Sequence, residues 1–142
     1  MPQIDFYITK ETSPQFAMRT ACRVTEKAFH AGLKVHLQTT DSTDAEKLDT
    51  LLWTFRDRSF IPHQIFDISE ATCPVTISTN NGPPDAEILV NLSDQIPENI
   101  ERFQRIAEII DNDAESIHAG RERYRFYREQ GYEPQHHEVF SR

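Results

Sequence analysis

The first forty residues constrain the fold most. Ile4-Asp5-Phe6-Tyr7-Ile8 alternates and is rich in β-forming residues, so it reads as a strand. Ser13-Pro14 then offers a capping residue followed by the residue best suited to a first helical turn, and Gly32 stands where a helix-ending glycine belongs. Between them Ala17, Ala21, Val24, Ala28 and Ala31 recur at helical spacing, a stripe of small side chains that lets a helix lie close to a sheet. Residues 34–39 give a second strand. A strand, a helix of this length and another strand imply a right-handed crossover with parallel pairing.

The rest of the chain extends this pattern. Asp41, Ser42 and Thr43 are capping candidates for a second helix that runs to about Phe55 with Ala45, Leu48, Leu51, Leu52 and Phe55 on its apolar face. Trp53 falls roughly 140° from Leu48 at about 100° per residue, off that face. Arg56-Asp57-Arg58-Ser59 is a short loop, and Phe60-Ile61-Pro62-His63 continues it as an exposed apolar stretch. Residues 75–78 and 88–92 are further strands, separated by the turn Asn80-Asn81-Gly82-Pro83-Pro84. Residues 100–110 read as a third helix, and 114–130 as a fourth closed by Gly131. The expected architecture is α/β, a three-layer Rossmann-like domain over residues 1–132, with a largely parallel sheet and helices on both faces. Residues 133–142, with His136 and His137, are expected to form a frayed or loosely docked tail.

An opening of this kind raises the prospect of nucleotide binding, and the sequence lacks the parts for it. The first strand-to-helix connection, Thr9-Lys10-Glu11-Thr12-Ser13-Pro14-Gln15, has no glycine, carries a glutamate and loses an amide donor at Pro14. Such connections hold phosphates by bringing free amides close to them. With four glycines in 142 residues, no GxGxxG or Walker-type loop can be placed, nor is there a GxSxG elbow for a nucleophilic serine. A small-ligand or nucleotide-binding enzyme is therefore the alternative reading, and an enzyme is not the expected one. His30, His36, His63 and His118 are scattered, and the adjacent His136-His137 pair reads as solvated, so neither metal nor cofactor is expected. Cys22 and Cys73 read as reduced, mostly buried thiols. No apolar run approaches the ~20 residues of a membrane span. Met1-Pro2-Gln3-Ile4-Asp5 does not read as a signal peptide, and the cytoplasm is the expected compartment.

Charge is unevenly distributed. The net charge is −8, which argues against broad contact with nucleic-acid phosphates, so tight direct binding to DNA is not expected. Residues 85–115 hold nine acids against two arginines, whereas 121–128 hold four arginines against one glutamate. On the fourth helix Ile117, Gly120, Tyr124 and Tyr127 share a core-facing arc, and Arg121, Arg125 and Arg128 run along one edge of it. Guanidinium forks beside an aromatic ring suit carboxylates, each fork donating two parallel hydrogen bonds. The same residues also oppose the helix dipole and can pair with Glu122 and Glu129, so a purely structural role is an open alternative.

The string Arg121-Glu122-Arg123-Tyr124-Arg125-Phe126-Tyr127-Arg128, followed by Gly131-Tyr132, resembles the C-terminal motif of the chi subunit family of bacterial DNA polymerase III. Three further segments agree in order and spacing: the opening strand with Phe6-Tyr7, the Leu48-Asp49-x-x-Leu52-Trp53 helix, and Ser59-Phe60-Ile61-Pro62-His63. The resemblance spans nearly the whole length. It implies a non-catalytic adaptor that links the clamp loader to single-stranded-DNA-binding protein by gripping that protein's acidic C-terminal tail, which ends in Pro-Phe. Carried over residue by residue, it assigns Arg121, Tyr124, Arg125 and Arg128 to the tail site. Trp53, Phe60 and Pro62 fall to an interface with the psi subunit, or with a helicase that competes for it in some relatives. Ile117 stands where some relatives have a lysine, and Phe126 is expected to face outward.

Overall fold

The computed structural model describes residues 2–10, 14–54, 61–66, 73–80 and 82–139. In chain order they form β1 (Gln3–Thr9), α1 (Pro14–His30), β2 (Val35–Gln38), α2 (Ser42–Thr54), β3 (His63–Ile65), β4 (Val75–Ser78), β5 (Ile88–Asn91), a 3₁₀ turn (Ile100–Arg102), β6 (Arg105–Ile110), α3 (Ala114–Glu129) and β7 (Gln135–Val139). The strands make one sheet in the order β3-β4-β2-β5-β6-β1-β7, and every pairing is parallel.

Strand alternation sorts the side chains into two cores. Leu37, Val90, Ala107 and Ile109 pack under α1 and α2 with Ala21, Cys22, Leu48 and Leu52. Ile4, Phe6, Leu89, Ile106 and Ile110 pack on the other face with Tyr127 of α3. The result is the three-layer α/β architecture expected from the sequence.

Several local expectations are corrected. β1 and β2 run parallel but are not neighbours, because β5 and β6 lie between them; α1 packs across β1, β6, β5 and β2. Ala17, Ala21 and Ala28 of its stripe are buried, whereas Ala31 is exposed past the helix end. Residues 100–110 are not a helix. After the short turn, β6 occupies the interior of the sheet with Ile106 through Ile110 all buried, and a strand covered on both faces reads as a continuous apolar run rather than an alternating one. Ile61 is fully buried rather than part of an exposed loop, and His63 opens β3. Residues 135–139 of the expected tail do not fray: as β7 they pair with β1 from Asp5↔Gln135 to Thr9↔Val139. Ser13, Phe55, residues 56–59 and Phe60 lie outside the described residues.

α2 begins on Asp41, whose carboxylate accepts from the Asp44 amide at 2.8 Å. At the centre of the sheet His36 is fully buried, with Nδ1 2.7 Å from the Thr76 hydroxyl and Nε2 2.8 Å from the Asn80 carbonyl. Gly82 lies against it with φ +75°, and a Cβ there would stand 2.3 Å from the imidazole. Burial pushes the His36 pKa down to about 4.

Candidate functional site

Helix α3 carries the four site residues, and its two ends are locally determined. Asp113 caps the start, accepting from the Ser116 amide at 2.8 Å. At the other end Gly131 adopts φ +95°, the Gly131 amide donates to Arg128 at 3.1 Å and the Tyr132 amide to Tyr127 at 3.0 Å. This is the Schellman arrangement, completed by the edge-to-face contact of Tyr132 on Tyr127 at 6.1 Å. It turns the chain back toward β7.

The inner side of α3 is anchored through a buried carboxylate. Glu108 of β6 accepts from Arg123 Nε at 2.8 Å, from the Tyr127 hydroxyl at 2.6 Å and from Asn91 at 3.0 Å. Both Glu108 and Arg123 are almost fully buried. Burial, and then the Glu108 charge, raise the Tyr127 pKa. Of the four arginines between 121 and 128, Arg123 is therefore committed inward, with its charge matched by Glu108. Gly120 sits against β6, where an added Cβ would come within 2.9 Å of Ile110.

The outer side of α3 borders an open groove of about 690 Å³. Its floor is Phe6 and Ile8 from β1, Ile110 from β6, and Ile117 and Gly120 from α3; Arg121, Tyr124, Arg125 and Arg128 line it from α3, and His136 from β7. The four site residues expected from the sequence thus come together. Tyr124 is half-buried, edge-on to Phe6 at 5.5 Å. All three arginines are exposed. Arg125 lies 3.8 Å from Glu122, with both side chains more than half exposed, a geometry that contributes little. Among the described residues, Arg121 and Arg128 carry no ion pair. Phe126 does not face outward. It is half-buried and meets Tyr127 edge-on at 5.8 Å.

Trp53 and Pro62 lie far from this groove. β3 and β7 are opposite edges of the sheet. Trp53 is 46% exposed and rests on the His63 ring at 4.2 Å. His63 is itself buried, with Nδ1 2.6 Å from the Ile61 carbonyl and Nε2 3.0 Å from that of Asp49. Pro62 is half-buried, and Phe60 lies outside the described residues. The sequence reading missed Ile65, also 46% exposed; its signal would have been the alternation in His63-Gln64-Ile65.

The carboxyl end of the strands, where such sheets bind nucleotides, is lined instead by Asp44, Asp94, Asp111, Asp113 and Glu115. That charge repels phosphate. Among the described residues no three His, Cys, Asp or Glu side chains are placed to hold a metal ion, and burial pushes the Cys22 thiol up to about 12. No described helix is long and apolar enough to cross a membrane.

Fold and site together define an all-parallel α/β protein whose open groove presents cationic and apolar groups side by side. A model of the family described as DNA polymerase III chi subunit, HolC, matches residues 1–135. DNA polymerase III subunit chi of Pseudomonas aeruginosa is 35% identical over 140 residues, covering 98% of each chain. The probable DNA polymerase III subunit chi of Rickettsia prowazekii is 32% identical over 120 residues, covering 78% of this chain and 71% of that one. The chi subunit of Haemophilus influenzae is 26% identical over 130 residues, covering 89% and 90%. The chain belongs to the DNA polymerase III chi subunit family, a non-catalytic accessory subunit.

Proposed function

We propose that this protein is a replisome adaptor in the cytoplasm, joining the DNA polymerase III clamp loader to single-stranded-DNA-binding protein by holding that protein's acidic C-terminal tail. One observation carries the reading: three exposed arginines from one helix border an apolar groove floored by Phe6, Ile8, Ile110 and Ile117. A peptide with aspartates before an apolar chain end matches both halves, its carboxylates meeting the guanidinium forks and its last side chain the floor. Arg121, Tyr124, Arg125 and Arg128 are the binding residues in this reading. Titration with a synthetic acidic peptide ending in Pro-Phe tests it. Micromolar affinity is expected, with a loss when the terminal Phe is removed; equal affinity without that Phe would exclude the groove as its seat.

The opposite edge supports a second partner. Trp53 and Ile65 are large apolar side chains left 46% exposed beside Pro62, the composition of an interface anchor. We assign Trp53, Phe60 and Pro62 to the clamp loader's psi subunit, or to a helicase that competes for the same face. Loss of psi capture in Trp53→Ala, with peptide binding intact, is the expected result.

A further inference from the structure

His136 and His137 have no part in the reading so far. Being consecutive on β7, they leave opposite faces of the sheet. His137 stacks on Tyr7 at 4.8 Å, and its Nε2 lies 3.0 Å from the carboxylate of Asp5. Asp5 is buried and also accepts from Arg105 Nε at 2.7 Å and Gln3 at 3.0 Å. His136 lies on the α3 side, its ring 4.9 Å from Tyr124 and 6.3 Å from Phe6, and it lines the groove opposite the arginine-bearing helix.

We propose that His136 is a fourth anion-facing group of the groove, a specificity-determining residue for acidic peptide ends supplied by β7, and that His137 holds the strand in place from the other face. The proposal rests on the acidic-peptide reading of the groove. The three arginines all project from α3, so on their own they grip a ligand from one side. His136 adds a donor on the facing wall whether neutral or protonated. When protonated it adds a charge that the Tyr124 ring also favours. The charged groups facing it are Arg121, Arg125 and Arg128 from α3; the neighbouring Phe6 and Ile8 of β1 and Ile110 of β6 carry no charge. Glu138, next on the same face of β7, is 3.1 Å from Lys10. A carboxylate entering the groove favours the protonated ring, so binding takes up a proton.

Fluorescence anisotropy of the full chain with a labelled acidic peptide ending in Pro-Phe, at pH 6.0 and 8.0, tests this. Wild type is expected to bind about two- to fivefold tighter at pH 6.0, the scale of one partly exposed charge pair. His136→Gln should lose that gain. His136→Lys should bind at least as tightly as wild type at both pH values, with no difference between them. His118→Gln, altered at an α3 histidine that does not line the groove, should keep the gain. His137→Gln should weaken binding by the same factor at both pH values, and unchanged affinity there removes its holding role. An undiminished pH gain in His136→Gln overturns the proposal; if Arg128→Ala still weakens binding in that case, the groove stands without His136. Absence of peptide binding by wild type at either pH sinks both.

Discussion

At one edge of the sheet β7 and α3 expose three guanidinium groups around an apolar floor. At the other, six strand spacings or about 29 Å away, β3 and α2 expose Ile65 and Trp53, the latter over the buried His63 ring. The first edge rests on the core beneath α3 and the second on the core beneath α1 and α2. One rigid sheet thus carries two surfaces of different chemistry, one electrostatic and directional, the other apolar. Each can be altered without unseating the other, because they share neither side chains nor a packing layer.

The sharpest way to break that comparison lies inside the cationic edge itself. Arg123→Met leaves Glu108 buried without its ion-pair partner, and breaking a buried pair this way costs about 3–5 kcal/mol. Urea denaturation should show a loss of that order, and a loss under about 1 kcal/mol would mean that the pair does not anchor α3.

Next comes the centre, between the edges. His36 has a folded pKa of about 4 against 6.5 unperturbed. Its contribution is fully present above pH 6.5 and is lost as pH falls through about 4, because the unfolded chain then binds the proton more readily. The difference amounts to about 3 kcal/mol. Stability measured from pH 7 to 4 should fall on this account, and His36→Gln should flatten the slope. An identical slope in both proteins would assign the acid sensitivity to other groups.

Arg128→Ala should weaken the acidic peptide by about tenfold, the loss of one charge-assisted contact, while the urea midpoint holds. Trp53→Ala should leave peptide affinity unchanged. Any shared loss would show the two edges to be coupled.

The smallest effect sharpens the contrast. Raising salt from about 0.05 to 0.5 M should weaken binding at the arginine edge severalfold through screening. It should leave capture at the Trp53 edge nearly unchanged, as measured by the same titrations.

The sequence made legible what local periodicity encodes. β1, α1, α2 and α3 follow from alternation, helical spacing and caps, and the wheel correctly set Arg121, Arg125 and Arg128 beside Tyr124 and turned Trp53 off its own core. It failed where distant context decides. β6 is buried on both faces, so its run carries no strand period. β7 is a polar edge strand whose hydrogen bonds come from β1, about 130 residues away in sequence. Composition shows Glu108 only as one of nine acids in residues 85–115 and Arg123 only as one of four arginines in 121–128, yet the two are buried together as a pair. His136 could not be placed in the groove before β7 was known to exist.

The pairing of residues 5–9 with 135–139 sets a kinetic order as well as a shape. Contacts across so many residues close late, because a long loop must be ordered before they repay it. The seam between β1 and β7, an edge strand with mostly exposed side chains, is also a place where local opening comes readily. A partner that needs this wall of the groove therefore meets only molecules that have finished folding, and dissociates from those that begin to come apart at that seam.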